Sequence, residues 1–200
     1  MEAPGSETVL PPPPVAWMRL AIAFYGGMAA LAWLWREAWQ GQQLLYASPE
    51  AARVGVSWAT DISLGLAVGV AFVALSRWLT RHTSAGERLA RRLAGALGKL
   101  ELRHCLALAL ASALGEEALF RGALQPSLGL LGASLVFGGV HFAPRRDLWP
   151  WSVFAFAGGL GLGSLFDATG NLVAPIVAHA TLNALNLTLL VREYGEQARV

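Results

Sequence analysis

Six mostly apolar stretches dominate this sequence of 200 residues and leave few folds open to it. A helix needs about 20 such residues to cross the hydrocarbon core of a bilayer. The stretches are 15–35, 54–75, 102–124, 128–142, 148–166 and 172–191. Only 14% of the residues are charged, against about 25% in ordinary globular proteins, so a soluble sphere would lack its usual charged surface. The pattern predicts an all-α, polytopic membrane bundle of about six transmembrane helices.

The segments before and between these stretches predict one domain and one further helix. Residues 1–14 are predicted as a disordered, proline-rich N-terminus, followed by a single transmembrane domain over 15–200. No basic residue precedes the first stretch, so we interpret it as a retained span rather than a signal peptide. Between Arg77 and Arg103, a capping box at Ser84–Glu87 precedes apolar residues at helical spacing with arginines interleaved. This pattern predicts an amphipathic helix in the membrane interface, and a solvated linker helix fits it equally well.

The basic residues predict the orientation of the bundle. With a cytoplasmic N-terminus, the cytoplasmic segments hold eleven Lys and Arg residues and the opposite segments hold only Arg36 and Arg53. We therefore expect both termini in the cytoplasm. Arg supplies fourteen of the fifteen basic residues, which points to a bacterial genome and an inner-membrane location. A net charge of +2 does not indicate a nucleic-acid partner, and a single cysteine, Cys105, excludes a disulfide framework. The pattern says nothing about the oligomeric state.

Three charged residues lie well inside the third apolar stretch, away from its ends, where burial of an unpaired charge costs several kcal/mol. Glu117 and Arg121 are four residues apart, so they share a helix face and are expected to form an ion pair. Glu116 points about 100° away from Glu117 and is left without a local partner. A carboxyl group placed there is suited to general-base chemistry, or else serves as an inert link between helices.

Two histidines and an asparagine add polar groups to the later stretches. His141 follows Phe137 by one helical turn, at a span end where a histidine is commonly interfacial. His179 and Asn183 are also one turn apart, Asn186 continues their face, and such side chains also hydrogen-bond neighbouring helices. A carboxylate and two imidazoles on three separate spans, however, are groups that activate water and stabilise an oxyanion. We therefore interpret them as a site for amide-bond hydrolysis.

At these residues the sequence resembles the CPBP family of intramembrane endopeptidases, which contains the type II CAAX prenyl endopeptidases and the abortive-infection proteins. Three motifs carry the resemblance: EExxxR at Glu116–Arg121, FxxxH at Phe137–His141 and HxxxN at His179–Asn183. All three are intact, occur in order and lie on separate predicted spans. The resemblance covers residues 102–191, which are expected to form the catalytic core.

The resemblance implies roles for the motif residues. Glu116, helped by His141, would activate the attacking water, while His179 and Asn183 would stabilise the oxyanion. The supporting residues of the motifs are Glu117, Arg121 and Phe137. The family has been described both as metal-independent glutamic peptidases and as metalloproteases. We predict a reaction without a cofactor, because the sequence lacks the HExxH zinc motif. The alternative is a zinc site with Glu116, His141 and His179 as ligands.

The predicted function is therefore an intramembrane endopeptidase that cleaves a membrane-anchored or lipidated polypeptide within the lipid bilayer. A sorting peptidase of the myxosortase type, which resembles the same family, would instead remove C-terminal sorting tails. The competing class is a non-catalytic membrane protein, such as a transporter, an immunity protein or a scaffold that retains the site residues. The sequence shows no convincing internal repeat of the kind typical of transporters, which favours the enzyme.

Two positions leave alternatives open. His141 lies near the predicted inner end of the fourth span, whereas Glu116 is expected roughly 20 Å from the inner end of its own span. Either the fourth helix continues toward Trp149, or its predicted boundaries are wrong. Asp61 belongs to no motif and is expected to pair with Arg19 or to line a water-filled entry.

Overall fold

The computed structural model describes residues 14–98, 100–142, 144–145 and 148–194, and it confirms an all-α membrane bundle. The predicted disordered N-terminus lies outside the described residues except for its last residue, which begins the first helix. The α-helices of the described chain are α1 (Pro14–Trp33), α2 (Pro49–Val54), α3 (Trp58–His82), α4 (Ser84–Leu97), α5 (Leu102–Glu117), α6 (Gln125–Val140), α7 (Trp149–Thr169) and α8 (Val173–Tyr194). Two π-helical segments, Leu34–Trp39 and Ala118–Leu124, continue α1 and α5.

Within the described chain, five helical runs rather than six are long and apolar enough to cross a membrane. They are Trp17–Trp39, Trp58–His82, Leu102–Val140, Trp149–Thr169 and Val173–Tyr194. The difference from the predicted six arises because the third and fourth predicted spans fall within the single run Leu102–Val140, which has 39 residues.

The run Leu102–Val140 is nevertheless not straight, because it folds back at Gly129. The rings of Phe120 and Phe137 lie 4.9 Å apart, although 17 residues of straight helix would separate them by about 25 Å. Gly129 has φ +71° and ψ 169°, a backbone conformation that is essentially restricted to glycine. The residues on the two sides of Gly129 therefore form two antiparallel arms.

Glycines bring the helices of the bundle into close contact. Gly65 and Gly69 on α3 are four residues apart and face the backbone of α8. An added Cβ atom would lie 2.6 Å from the Ala174 carbonyl oxygen at Gly65 and 2.7 Å from the Ala178 carbonyl oxygen at Gly69. A Cβ atom at Gly115 on α5 would likewise lie 2.5 Å from a backbone oxygen of α1. Small residues at such contacts allow membrane helices to pack closely, which positions α5 and α8 for the site.

The predicted amphipathic helix is α4. Its N-cap is Thr83 rather than the predicted Ser84, since the Thr83 Oγ1 accepts the amide hydrogen of Gly86 at 3.0 Å and also donates to a carbonyl of α3. Ala90 and Ala94 are buried, while the arginines of α4 are exposed. The helix packs against the ends of α3 and α8. Its location in the membrane interface remains a prediction.

Asp61 has a structural role at the start of α3. Its Oδ2 accepts hydrogen bonds from the Ser57 amide at 3.1 Å and from the Asn171 Nδ2 at 2.8 Å. The predicted pair with Arg19 is wrong, because the structure gives this carboxylate no arginine partner among the described residues. Asp61 instead caps α3 and ties it to the loop that precedes α8.

Candidate active site

The site is built around two consecutive carboxylates at the end of α5. Glu117 is completely buried, and its Oε1 lies 2.9 Å from the Nη1 of Arg121, so the predicted ion pair is confirmed. Arg121 is 1% exposed, and its Nη2 donates to the Gly159 carbonyl on α7 at 3.2 Å. The pair therefore neutralises one buried carboxylate and links α5 to α7.

His179 on α8 meets both carboxylates. Its Nδ1 lies 2.6 Å from the Oε1 of Glu117, the same oxygen that pairs with Arg121. Because Glu117 is paired with a guanidinium, it acts as the acceptor and the Nδ1 of His179 carries the hydrogen. The Nε2 of His179 then presents its lone pair toward Glu116, whose Oε2 lies 3.8 Å away.

His141 faces Glu116 from another side. Helix α6 ends at Val140, so it does not continue toward Trp149, and His141 occupies the following turn. Its Nδ1 donates to the Phe137 carbonyl at 2.7 Å, which leaves the Nε2 lone pair free to face the Glu116 Oε2 at 4.0 Å. The reversal at Gly129 thus resolves the apparent mismatch in depth, since it places the end of α6 opposite the end of α5.

Phe137 packs against the other groups of the site. Its ring centroid lies 4.5 Å from the Cζ of Arg121, 4.6 Å from the ring of His141 and 6.2 Å from the ring of His179. An aromatic face beneath a buried guanidinium contributes a cation–π interaction. The phenylalanine of the FxxxH motif therefore covers the ion pair and fixes both imidazoles by packing.

Asn183 lies one turn from His179, but its recorded hydrogen bond points elsewhere. Its Nδ2 donates to the Ser112 Oγ on α5 at 2.9 Å. Asn186 similarly donates to the Ser76 Oγ on α3 at 3.1 Å. The polar face of α8 therefore joins three helices through amide–hydroxyl hydrogen bonds, the interhelical arrangement that the sequence left open. The structure leaves the role of Asn183 in an oxyanion site as a prediction.

Tyr25 on α1 is a neighbour of the site that sequence reasoning missed. Its side chain is half-buried, and its hydroxyl lies close to the carboxylate of Glu116. The close contact of Gly115 with the Tyr25 backbone brings the two helices together. The sequence does indicate that Tyr25 has a polar neighbour, because a tyrosine hydroxyl buried in an apolar span needs a polar partner.

Three atoms converge at the centre of the site: the Oε2 of Glu116 and the Nε2 atoms of His141 and His179. The Oε2 is buried and has no hydrogen-bond partner among the described residues. The nitrogens lie 4.0 and 3.8 Å from it, too far for direct hydrogen bonds and suited to sharing a water molecule.

The same distances do not fit a zinc ion in the present arrangement, because ligand atoms around tetrahedral zinc lie about 3.4 Å apart. Within the described residues, no group of three His, Cys, Asp or Glu residues is arranged to hold a metal ion. Whether the reaction needs a metal is a separate matter, and metal independence remains a prediction.

The fold and the site define the class as a polytopic helical membrane protein with a buried carboxylate facing two imidazoles. Residues 99–185 match the family described as type II CAAX prenyl endopeptidase Rce1-like. This region contains all three motifs, so the predicted resemblance to this family is confirmed over residues 99–185.

The chain is also similar to YpbD, an uncharacterized protein of Bacillus subtilis (strain 168). The two are 32% identical over 126 residues, which are 62% of this chain and 64% of the length of YpbD. The chain therefore spans just under two thirds of this relative. No solved structure matches the chain significantly.

Proposed function

We propose that this protein is an intramembrane endopeptidase that hydrolyses a peptide bond in a membrane-anchored or lipidated polypeptide. The observation that carries the proposal is the Glu116 Oε2, which is buried, has no hydrogen-bond partner among the described residues and faces two imidazole nitrogens. An inert link between helices would use this oxygen in a hydrogen bond with another helix.

In the proposed first step, Glu116 acts as the general base. A water molecule within hydrogen-bond distance of the Glu116 carboxylate and the His141 Nε2 transfers a proton to Glu116 as its oxygen attacks the scissile carbonyl carbon. The carbonyl π bond breaks, and its electron pair becomes the oxyanion of a tetrahedral intermediate. Glu116 then returns the proton to the leaving nitrogen as the carbon–nitrogen bond breaks.

The oxyanion needs donors on the opposite side of the substrate, and α8 supplies them in this proposal. His179 donates from Nε2 when its ring carries a second proton, while the Glu117 carboxylate accepts from its Nδ1. The Asn183 amide has a second N–H beyond the one bonded to Ser112. Together these groups stabilise charge that develops only in the transition state.

The substrate class follows from the position of the site. Glu116 lies 14 residues from the start of α5, or about 21 Å along the helix, so the scissile bond must enter the membrane-spanning part of the bundle. This depth favours polypeptides that are themselves anchored in the bilayer. We expect the protein in a bacterial inner membrane with both termini cytoplasmic, where its partners are the lipid bilayer and the polypeptide substrate.

Cells that carry Glu116→Gln in place of the wild-type chain test the proposed function. The amide keeps the shape of the side chain but cannot accept the proton, so membrane polypeptides normally cleaved should accumulate uncut. Mass spectrometry of membrane-protein termini identifies them. Glu101→Gln, at the exposed start of the same helix, is the matched control and should leave the termini unchanged. Unaltered termini in cells with membrane-inserted Glu116→Gln would refute the assignment.

A chelator tests the predicted metal independence. Purified wild-type protein should cleave a substrate found in that comparison at the same rate with and without a strong zinc chelator. Loss of activity on chelation and its recovery on addition of zinc would overturn the metal-free mechanism while leaving the peptidase assignment intact.

A further inference from the structure

A second buried arginine, Arg36, lies just after the C-terminal end of α1. Arg36 is in the π-helical segment Leu34–Trp39 and is only 4% exposed. Its Nη1 donates to the Gln40 Oε1 at 3.2 Å and its Nη2 to the Ala47 carbonyl at 3.3 Å. Its Nε is buried and has no hydrogen-bond partner among the described residues. Two neutral acceptors therefore hold the guanidinium, and its buried Nε–H is left unused.

The charge of Arg36 is not balanced by a carboxylate. In the described part of the chain, no carboxylate oxygen lies within 4.0 Å of the Arg36 guanidinium, the limit for an ion pair. The neighbouring Glu37 accepts from the Trp33 Nε1 at 2.9 Å and from the Leu44 amide at 3.1 Å. An arginine remains charged in proteins, and a buried charge without a counter-charge costs several kcal/mol. An anion beside Arg36 would offset that cost.

A cavity of about 280 Å³ opens beside Arg36. Most of its lining surface is apolar, and its polar groups come from two arginines and three neutral side chains: Arg36, Arg53, Gln42, Gln43 and Ser48. Arg53 is largely exposed, and its 3.8 Å contact with the exposed Glu50 contributes little binding energy, so its guanidinium can turn to a ligand. The volume is just below the roughly 300–1,000 Å³ of sites for drug-sized ligands and suits a small anionic group.

One wall of the cavity is held in place by a backbone hydrogen bond, and two exposed tryptophans lie at the ends of the neighbouring spans. The Ala47 amide donates to the Gly170 carbonyl at 3.0 Å, which fixes the loop that carries Ser48. Trp39, at the end of the π-helical segment Leu34–Trp39, is 85% exposed, and Trp58, at the start of α3, is 63% exposed. Exposed tryptophans at span ends are typical of the headgroup level of a membrane.

We propose that the cavity beside Arg36 binds a phosphate group, supplied by a phospholipid headgroup or by free phosphate. The guanidinium presents a fork of donors that matches phosphate oxygens, and Arg53 completes the positive lining. The site is separate from the catalytic centre, because Arg36 lies eleven residues beyond Tyr25, or roughly 16 Å along the helix.

Thermal unfolding of the purified, delipidated full chain in detergent micelles tests this proposal. One arm adds dioleoyl phosphatidylglycerol, with dioleoylglycerol as the phosphate-free control. The other adds inorganic phosphate, with chloride at equal ionic strength as its control. We expect the unfolding midpoint of the wild type to rise with a phosphate source and not with its control. The compound that raises the midpoint identifies the source of the phosphate group. Arg36→Gln should abolish the rise, and Arg19→Gln, at an exposed position on the same helix, should retain it.

If Arg36→Gln fails to fold, a second variant tests the proposed phosphate site. Arg53→Gln changes an exposed residue and should fold normally, yet need about fivefold more of the phosphate source for half of the midpoint rise. If Arg36→Gln does not fold, the proposal is overturned when Arg53→Gln needs the same concentration of the phosphate source as the wild type. An equal rise in folded Arg36→Gln, or no rise in the wild type with either phosphate source, would also overturn it.

Discussion

Replacing Glu117 by glutamine tests how the buried charges hold the site together. The change leaves Arg121, which is 1% exposed, without its counter-charge. Removing one partner of a buried ion pair costs about 3–5 kcal/mol. Arg121 keeps the Gly159 carbonyl at 3.2 Å and the Phe137 ring at 4.5 Å. We therefore expect the lower end of that range, about 3 kcal/mol of unfolding free energy.

A double-mutant cycle measured by unfolding in mixed micelles isolates the pair. Glu117→Gln and Arg121→Gln should each lower the free energy of unfolding. The double variant should lose at least about 1 kcal/mol less than the sum of the two single losses. Glu87→Gln is the matched control, because Glu87 pairs with Arg91 at the same spacing but both side chains are about half exposed. It should cost less than about 1 kcal/mol. Additive losses, or wild-type stability in Glu117→Gln, would refute the reasoning.

The same variant should lose activity by a different route. The change removes the counter-charge of the imidazolium form of His179, which is the donor to the oxyanion in the proposed mechanism. Loss of the carboxylate beside the catalytic histidine of serine proteases costs about 10⁴-fold. We expect at least about 10²-fold here, measured as the cleavage rate of the folded variant. A rate within about tenfold of wild type would contradict the orienting role of Glu117.

Three further variants test the packing and the site. Gly65→Ala should lower the unfolding midpoint, at a cost of about 1–3 kcal/mol for overpacking against the backbone of α8, whereas the unobstructed Gly26→Ala should not. Gly129→Ala has open space for its Cβ but strains a backbone with φ +71°, so thermal unfolding should show a loss of about 1–3 kcal/mol. Tyr25→Phe removes the hydroxyl beside Glu116, and cleavage assays should show a loss of about tenfold or more at unchanged stability.

The parts of the structure that depend on local spacing were predictable from the sequence. Apolar stretches long enough to cross a bilayer predicted the helical bundle, because an unpaired backbone cannot exist in hydrocarbon. The four-residue spacing of Glu117 and Arg121 predicted their ion pair, even though a π-helical segment follows Glu117. The three motifs predicted the resemblance to the family whose model matches residues 99–185.

The parts that depend on contacts between helices were not predictable. The hydroxyl of Tyr25 reaches Glu116 only because Gly115 lets α1 approach α5, and no spacing along the chain encodes that contact. Thr83 rather than Ser84 caps α4 because it also donates to the end of α3, a tertiary constraint that local propensity does not contain. Asp61 accepts a hydrogen bond from Asn171, which lies 110 residues further along the chain.

The reversal at Gly129 explains why the distance between the first two motifs matters. Glu116 lies 13 residues before Gly129 and His141 lies 12 residues after it, so two antiparallel arms bring their side chains opposite each other. Inserting one residue between Gly129 and Phe137 would rotate His141 by about 100° and move its Nε2 away from Glu116. The spacing between these two motifs is therefore a structural requirement of the site.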